Sequence, residues 1–327
     1  MIENDKVNRI LVISLNNLGD VVLTFPVVDI LRRDFPAADL SVVLGQKSRG
    51  LLINNSNIKH LFVLPQRDLW RQRLRWLMEL RKERFDLVVD LRHTLIPFFL
   101  MPRYRTPLIR FGKSSKHVRF RYLDILNTVH PCEGTAERFC FQPTEHEQEE
   151  TQNLLSERLN PGERFIVFAP GSANHRKRWV EERFAAVADW LTQEYGFRVI
   201  FTGTQDESLI IERIQSKMKM TALDLSGQLS FHQFGIVLQQ SVCVLLNDSA
   251  PLHLASYLNV PTLALFGPSN PSIYGPWSDV SAWLWQQDGC EGCRLDDPDY
   301  EHTCMQAITV DQVKEKLSGI LTSIGAI

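Results

Sequence analysis

Short runs of aliphatic and β-branched residues alternate with amphipathic stretches along most of this chain. In the first half, runs typical of buried strands lie at residues 9–14, 40–44, 60–64 and 86–91, and helical periodicity covers 68–83. Strands that alternate with helices form right-handed βαβ units around a parallel sheet. The alternation therefore predicts an α/β protein.

The alternation weakens over residues 113–142 and restarts after the turn sequence Asn160-Pro161-Gly162. Further strands are predicted at 165–169, 198–202, 242–246 and 262–266, and helices at 145–159, 180–195, 205–217, 251–258 and 310–320. A chain of 327 residues is longer than one hydrophobic core usually organises. We therefore predict two Rossmann-like, doubly wound domains, residues 1–160 and 161–327, that face a central cleft. Ligands are expected beyond the carboxyl ends of the strands.

The net charge of −2 hides an uneven distribution. Residues 1–155 contain 23 basic and 18 acidic side chains, and residues 59–121 alone contain 16 basic and 5 acidic ones. A basic face attracts anionic partners. The chain contains no recognisable nucleic-acid module and its pI is about 6.5, so nucleic acid is not expected. An anionic glycolipid or membrane surface fits better, and a solvated, salt-bridged helix face over 71–84 is the alternative.

The segment 95–101 is strongly apolar and is flanked by Arg92, Arg103 and Arg105. A buried helix is the commoner fate of such a segment, and a peripheral docking edge is the alternative. We expect most of the segment to be buried and its basic rim to dock on the inner membrane. No apolar run approaches the length that spans a bilayer. The N-terminus does not show a signal-peptide pattern, so a cytoplasmic protein is expected.

Three of the six cysteines cluster near the C-terminus, at Cys290, Cys293 and Cys304. With His302 they would provide four zinc ligands, but a single C-x-x-C pair lacks its partner pair. We therefore interpret them as free thiols. The Asp-x-Asp triplet at 297–299 is interpreted as a chance occurrence, and no metal site is expected.

The first motif, Asn16-Asn17-Leu18-Gly19-Asp20, follows the first predicted strand. It lacks the G-x-G-x-x-G pattern of dinucleotide folds, which disfavours NAD binding. Asp20 is placed at the carboxyl end of the strand, where a carboxylate can act as a general base on a hydroxyl. Its alternative role is the N-cap of the following helix.

The second motif follows the first strand of the second half and contains Arg176, Lys177 and Arg178. Successive cations beside a strand-to-loop turn suit a diphosphate, with Lys as a point charge and Arg as a fork. A charged surface loop is the alternative. Trp179, which is expected to tether the loop to the core, makes free solvation less favourable.

The third motif, Asn247-Asp248-Ser249-Ala250-Pro251, ends a buried strand and begins a helix. Proline near the first helical position is typical of a helix start. The N–H groups and dipole of a helix N-terminus form an anion site. Ser249 is expected to cap the helix or bind a phosphate oxygen. Asp248 is expected to bind a sugar, with His253 one turn into the helix.

The motifs NNLGDVV, PGSANHRKRW and NDSAPLHLASYLNVPTLALFGPSNPSIYGPW together resemble glycosyltransferase family nine, the ADP-heptose:lipopolysaccharide heptosyltransferases. The resemblance extends essentially end to end. It implies a GT-B fold whose N-terminal domain binds the acceptor and whose C-terminal domain binds ADP-heptose. It also implies inverting, metal-independent transfer of heptose, without a cofactor, to a sugar hydroxyl of the anionic lipopolysaccharide inner core.

The resemblance also implies roles for individual residues. Asp20 matches the catalytic base of the family and Lys177 its phosphate-binding lysine. The family's donor loop corresponds to Asp248, Ser249, Ala250, Pro251 and His253. An acidic donor contact is implied near residues 203–206, where Gln205 and Asp206 are both candidates. Another nucleotide-sugar donor, a non-catalytic nucleotide-sugar binder and a nucleotide-sugar epimerase are the remaining alternatives.

Overall fold

The structure is a computed structural model that describes residues 2, 6–65, 70–108, 117–134, 136–286 and 303–327. The chain divides into two compact units, Met1–Pro143 and Thr144–Ile327. Each unit contains one parallel β-sheet together with α-helices. The predicted α/β class and the prediction of two sheets are confirmed.

The first unit contains a five-stranded sheet whose order is β3-β2-β1-β4-β5, with every neighbouring pair parallel. Its strands are β1 (Arg9–Ile13), β2 (Asp39–Leu44), β3 (His60–Val63), β4 (Leu87–Asp90) and β5 (Tyr104–Arg105), and its helices are α1 (Leu18–Asp34), α2 (Trp70–Lys82), α3 (Ile96–Leu100) and α4 (Val118–Asn127). The strand order reverses between β1 and β4. In open α/β sheets, ligands bind outside the carboxyl ends of the strands at this switch point.

Burial in the first unit follows the apolar runs of the sequence. Residues 10–13 of β1 are almost completely buried, as a central parallel strand requires. Helix α1 is buried from Val21 to Leu31 and contacts α4. The register places Ile13 opposite both Val43 and Asp90, so the carboxyl ends of β1, β2 and β4 lie at one edge.

The second unit contains a six-stranded parallel sheet of order β11-β10-β9-β6-β7-β8. Its strands are β6 (Phe165–Ala169), β7 (Arg198–Phe201), β8 (Leu223–Asp224), β9 (Val244–Asn247), β10 (Thr262–Phe266) and β11 (Ser281–Trp285). Its helices are α5 (Glu145–Arg158), α6 (Glu181–Tyr195), α7 (Ser208–Gln215), α8 (Phe231–Gln240), α9 (Ala250–Leu258), α10 (Pro271–Tyr274), α11 (Cys304–Ala307) and α12 (Val310–Ser323). When β6 to β11 are renumbered 1 to 6, the order across the sheet is 3-2-1-4-5-6, which is the order of dinucleotide-binding folds. The switch point lies between β6 and β9.

The two units divide before α5, whereas the sequence placed the boundary after this helix, at residue 160. Helix α5 contacts α8 of the second unit. Glu147 of α5 accepts a hydrogen bond from the Ser230 hydroxyl, at 3.3 Å, and lies 3.2 Å from Nδ1 of His232. His232 is buried, so this contact is shielded from water. The helix therefore belongs to the second unit.

The apolar segment 95–101 is buried only in part. Ile96, Pro97 and Leu100 are buried, whereas Leu95, Phe98 and Met101 are exposed. Phe99 is partly buried and packs against the core, so the segment is divided: α3 covers the sheet with one side and exposes the other. Within the described residues, no helix combines the length and apolar character that crossing a membrane requires.

Glu147 connects α5 to α8 by charge as well as by hydrogen bonds. Burial by itself would raise the pKa of Glu147, but the Thr144 backbone amide and the nearby His232 hold that pKa below its ordinary value. A carboxyl group with a lowered pKa in the folded state stabilises the fold above the pKa of the unfolded state, about 4.3. The stabilisation is lost as the pH falls through the folded-state pKa.

We predict that Glu147→Gln lowers the free energy of unfolding at neutral pH, and that the difference from the wild type shrinks as the pH falls below about 4. Glutamine preserves the capping box with Thr144 through its side-chain oxygen, and its amide nitrogen replaces Oε1 beside Ser230 and His232, so the pH dependence of the difference reports the charge. Urea unfolding followed by circular dichroism at several pH values measures the difference. Glu149→Gln, on the same helix, is the matched control. A difference that is the same at every pH would contradict the electrostatic explanation.

Candidate functional site

The sequence motifs lie at the switch points of the two sheets. In the second unit the loop 170–179 follows β6, and Asp248 and Ser249 follow the neighbouring strand β9. In the first unit the loop 14–17 follows β1, and the loop 91–95 follows its neighbour β4. Each unit therefore has a candidate site where the topology favours ligand binding.

Asn247 joins the two loops of the second unit. It is the last residue of β9 and is completely buried. Its side-chain amide donates to the Pro170 carbonyl at 2.7 Å, and its side-chain oxygen accepts from the Trp179 backbone N–H at 3.2 Å. Because Pro170 and Trp179 lie at the two ends of the loop after β6, one side chain fixes both ends.

Lys177 and Asp248 form an ion pair inside this arrangement. Nζ of Lys177 lies 2.7 Å from Oδ2 of Asp248. The Asp248 side chain is 6% exposed and the Lys177 side chain 26% exposed, so the ammonium group reaches solvent while the carboxylate lies beneath it. The Ser172 hydroxyl donates to the Asp248 carbonyl at 3.3 Å, which adds a second link between the loops. An ammonium group has three donors, so the pair leaves Lys177 able to bind an anion.

Arg178 and Trp179 hold the loop in place. Nε and Nη2 of Arg178 both donate to the Ser172 carbonyl, at 2.9 and 2.7 Å. The Trp179 side chain is buried and donates to the Ile308 carbonyl at 2.9 Å. The predicted tethering of the loop by Trp179 is confirmed, and the alternative of a freely solvated loop is not seen.

Helix α9 begins two residues after Asp248. Ala250 and Pro251 are its first residues, and Ser249 precedes them in an extended conformation. Ser249 is the N-cap residue of α9, but its hydroxyl donates to the Asn247 carbonyl at 3.2 Å and makes no capping hydrogen bond. The N-terminus of α9 carries the partial positive charge of the helix dipole.

His253 lies one turn into α9 and is buried. Its ring stacks on the indole ring of Trp277, with centroids 6.0 Å apart and planes at 15°. This aromatic contact was not predicted from the sequence, because Trp277 is 24 residues away along the chain.

Glu207 is, besides Asp248, an acidic residue that contacts the loop after β6. A methyl group at Gly171 would overlap the Glu207 carboxylate, which would then have to move away from the loop. The carboxylate accepts a hydrogen bond from the Thr204 backbone N–H at 2.8 Å. The side chain of Gln205 lies instead against Gly227. The acidic residue beside the loop is thus one position beyond the range 203–206 that the resemblance implied.

Asp20 lies in the first turn of α1 and is half-buried. Its Oδ2 accepts a hydrogen bond from the Asn17 side-chain amide at 2.9 Å. The N-cap of α1 is Asn17, so the capping alternative for Asp20 is wrong. The positive end of the helix dipole favours a carboxylate in the first turn.

The loops after β1 and β4 are joined beside Asp20. Nη1 of Arg92 donates to the side-chain oxygen of Asn16 at 2.7 Å, and the Ser48 hydroxyl donates to the Asn16 carbonyl at 2.7 Å. A methyl group at Gly45 would lie 2.7 Å from Oδ1 of Asn16, so β2 also ends against this residue. Asn16 and Arg92 were not predicted as site residues, since their contact joins positions 76 residues apart.

Asp90 is the other carboxylate at this edge, and it organises its own loop. It is 2% exposed and accepts hydrogen bonds from the backbone N–H of Arg92 at 2.9 Å, and from the N–H and hydroxyl of Thr94 at 2.6 and 2.7 Å. Asp20, in contrast, accepts one hydrogen bond from the described residues and is partly accessible. Of the two, Asp20 is the more accessible carboxylate and the one with fewer hydrogen bonds.

Of the C-terminal cysteine cluster, Cys290, Cys293 and His302 lie outside the described residues, as does the triplet at 297–299. Cys304 is buried and packs against Gly267. Among the residues that the structure describes, no group of three or more metal-ligating side chains occurs.

Comparisons with known proteins place the sequence in a family. The sequence matches the model of glycosyltransferase family 9 (heptosyltransferase) over residues 73–302. It is 23% identical to lipopolysaccharide heptosyltransferase 3 of Escherichia coli, over 93% of this chain and 97% of the relative. It is 24% identical to lipopolysaccharide heptosyltransferase 2 of Escherichia coli K12, over 96% of this chain and 98% of the relative.

Solved structures of the same family share the fold. A family 9 glycosyltransferase from Veillonella parvula DSM 2008 superimposes with a TM-score of 0.82, at 23% identity over 97% of both chains. ADP-heptose lps heptosyltransferase II of E. coli superimposes with a TM-score of 0.78, at 23% identity over 97% of this chain and all of the other. The predicted GT-B fold is confirmed. Because the family match also covers most of the chain, this protein is a glycosyltransferase that belongs to family 9, the heptosyltransferases.

Proposed function

We propose that this enzyme transfers heptose from ADP-heptose to a sugar hydroxyl of the lipopolysaccharide inner core, with inversion at the anomeric carbon and without a metal ion. The names of the relatives that align over nearly the whole chain support heptose transfer to lipopolysaccharide. The observation that carries the donor assignment is the Lys177 ammonium, held 2.7 Å from Asp248 just before helix α9. The first unit binds the acceptor in this proposal, and the second unit binds the donor.

The donor diphosphate occupies the switch point of the second unit. Lys177 donates to its oxygens, and the first N–H groups of α9 face the same charge. Arg178 belongs to this site because its two hydrogen bonds to Ser172 fix the loop that carries Lys177. Pro251 fixes the first turn of α9, and Ala250 has no long side chain that would block the helix N-terminus.

Other polar groups of the second unit surround the sugar nucleotide. The Ser249 hydroxyl and the Asp248 carboxylate offer hydrogen bonds to the phosphate and sugar, and His253, fixed by Trp277, offers an imidazole from the same helix. Glu207 takes the place of the acidic donor contact that the family resemblance implies, because it lies against the loop at Gly171.

The chemical step is a single displacement. The Asp20 carboxylate removes the proton from the acceptor hydroxyl, and the oxygen of that hydroxyl forms a bond to the anomeric carbon. The bond from the anomeric carbon to the diphosphate breaks on the opposite face, and ADP leaves with the bonding electron pair. Inversion follows because one displacement reverses the configuration.

Negative charge grows on the departing diphosphate as this bond breaks. Preorganised positive groups that meet such charge are usually the largest contribution to catalysis. Lys177 and the N-terminus of α9 supply them here. Asp248 holds the ammonium group in position before the donor arrives, so little reorganisation is needed. These groups take the role that a divalent metal has in other glycosyl transfers.

The proposal is tested by incubating the enzyme with delipidated core oligosaccharides and one nucleotide sugar at a time. We expect a product heavier by one heptose with ADP-heptose, and no product with UDP- or GDP-sugars. The heptose of the product should have the anomeric configuration opposite to that of the donor, as measured by NMR. Activity should be unchanged in EDTA. Transfer from another donor would overturn the donor assignment, and retention of configuration would overturn the single displacement. Loss of activity in EDTA would overturn metal independence.

Asp20→Asn is expected to lower kcat by a factor of about a hundred to ten thousand, the usual contribution of a general base. ADP affinity should be unchanged, because Asp20 acts on the acceptor. Asp39→Asn is the matched control, since Asp39 is exposed at the amino end of β2. Turnover is measured by product mass and affinity by calorimetry. Near-normal turnover in the Asp20→Asn variant would contradict the assignment.

Lys177→Ala is expected to weaken ADP binding by about tenfold to a hundredfold, because it removes a charge-assisted hydrogen bond. Lys217→Ala is the matched control: this lysine of the same unit pairs with Glu181 and Glu182 at 3.1 and 2.9 Å. Calorimetry with ADP measures both.

Removal of Lys177 also leaves the Asp248 carboxylate without its cation, which by itself would repel a diphosphate. The double variant Lys177→Ala/Asp248→Asn separates the two effects. If lysine binds the phosphates, the double variant stays weak. Full recovery of ADP affinity in the double variant would show that Lys177 only neutralises Asp248.

A further inference from the structure

Exposed apolar side chains concentrate in one part of the first unit. Fourteen large apolar side chains are exposed in the described residues, and six of them lie within residues 70–101. They are Trp70, Leu74 and Met78 on α2, and Leu95, Phe98 and Met101 on and beside α3. We call these six side chains, with the basic residues 71, 75, 81, 82 and 105, the α2–α3 surface.

On α2 the exposed apolar residues recur every four positions, which places Trp70, Leu74 and Met78 on one face of the helix. Trp70 is 68% exposed. Leu80, in contrast, is fully buried, and Trp76 and Leu77 also pack against the core. The exposed apolar side chains thus lie beside the part of α2 that packs against the unit.

Basic residues share the outward face of α2. At 100° per residue, Arg71, Arg75 and Lys82 fall beside the stripe that begins at Trp70. Helix α2 contains five basic residues and one acidic residue, Glu79. In the described part of the chain, none of these five cations forms an ion pair with a carboxylate, whereas Arg213 in the second unit pairs with Glu181 at 2.7 Å.

Helix α3 extends the exposed apolar and basic surface of α2. Ile96 and Leu100 pack into the core with Leu80, so α3 lies next to α2. The Arg81 guanidinium joins the two helices, since it donates to the Phe99 carbonyl at 3.1 Å. Helix α3 is thus fixed to α2, and the six apolar side chains of the α2–α3 surface remain exposed.

The exposed side chains on and beside α3 are large and apolar. Leu95 is 69% exposed and Met101 is 63% exposed. The Arg105 guanidinium lies 4.1 Å from the centroid of the exposed Phe98 ring, which places a cation beside an apolar side chain.

We propose that the α2–α3 surface docks on an anionic lipid bilayer. The apolar side chains enter the interfacial region, and the arginine and lysine side chains contact the lipid headgroups. Amphipathic helices that lie in a membrane interface combine Trp, Phe or Leu with Lys and Arg in this way. Indole rings favour the boundary between hydrocarbon and water. The positive charge of the surface selects an anionic bilayer over a neutral one.

The test measures co-sedimentation of the full chain with phosphatidylcholine vesicles that contain or lack phosphatidylglycerol, at low and high salt. We expect binding to the anionic vesicles at low salt, weakened by high salt because salt screens the attraction. Binding that is equal for both vesicle types, or absent from both, would overturn the proposal. Vesicle binding is measured without an activity assay, so its result is independent of whether the proposed reaction is correct.

Two triple variants test the electrostatic and the apolar contributions to binding separately. Removal of one cation near an anionic surface lowers partitioning about fivefold, so Arg71→Ala/Arg75→Ala/Lys82→Ala should lower it on the order of a hundredfold. Trp70→Ala/Leu74→Ala/Met78→Ala should weaken binding that persists at high salt. All these side chains are exposed, and circular dichroism verifies the fold.

Matched controls come from the second unit. Leu209 is exposed on α7 to 62%, close to Trp70 in exposed fraction, and Lys219 and Lys316 are exposed lysines outside the α2–α3 surface. Leu209→Ala and Lys219→Ala/Lys316→Ala should leave vesicle binding unchanged. Equal losses in these controls would overturn the proposal. So would an apolar variant that changes the oligomeric state in solution but binds vesicles normally, since the stripe would then be a protein interface.

Discussion

Asn247 is fully buried at the end of β9, where both polar ends of its amide need partners within the protein. Its partners are the Pro170 carbonyl and the Trp179 N–H, which enclose the loop after β6. Lys177 lies within the enclosed segment, and Asp248 is the next residue after Asn247. The 2.7 Å approach of Lys177 to Asp248 thus depends on one amide, together with the parallel register that aligns β6 with β9.

The Lys177–Asp248 pair differs physically from the surface pairs of the second unit. Exposed pairs such as Arg213–Glu181 contribute little to stability, because water screens them. Asp248 is almost completely buried, so its desolvation is costly unless a cation and hydrogen bonds accompany it. Because this cost offsets the attraction between the charges, a buried pair adds little to the stability of the fold. In a site that binds a diphosphate its value lies in orientation, since the ammonium group is in place before the charge it must stabilise develops.

The elements that local sequence determines were predicted well. The runs at β1, β2, β6 and β10 are apolar and short, and the helix predicted over 310–320 corresponds to α12, which Thr309 caps. The compact units divide before α5 and not after it at residue 160, because Glu147 on this polar helix contacts residues more than 80 positions away. Chain position alone does not encode such a contact.

The same limit applies to the candidate site. Asp20 and Lys177 are proposed as site residues from their position in motifs that follow predicted strands. Asn247 was read as part of a helix-start motif, although its role is to join two loops. Glu207 is seen only through its contact with Gly171, since a glycine after a strand has many uses.

The loop after β4 connects the two features of the first unit on which the proposals depend. Its Arg92 contacts Asn16 in the loop that precedes Asp20, and the exposed Leu95 lies three residues later. Three residues span at most roughly 11 Å, so the apolar surface begins close to the loops of the candidate site. A lipid-linked acceptor and an enzyme docked on the same bilayer meet in two dimensions, which raises their effective concentration without any added contact. The basic surface and the general base would thus serve one acceptor, the first by holding the enzyme where lipopolysaccharide is anchored and the second by activating its hydroxyl.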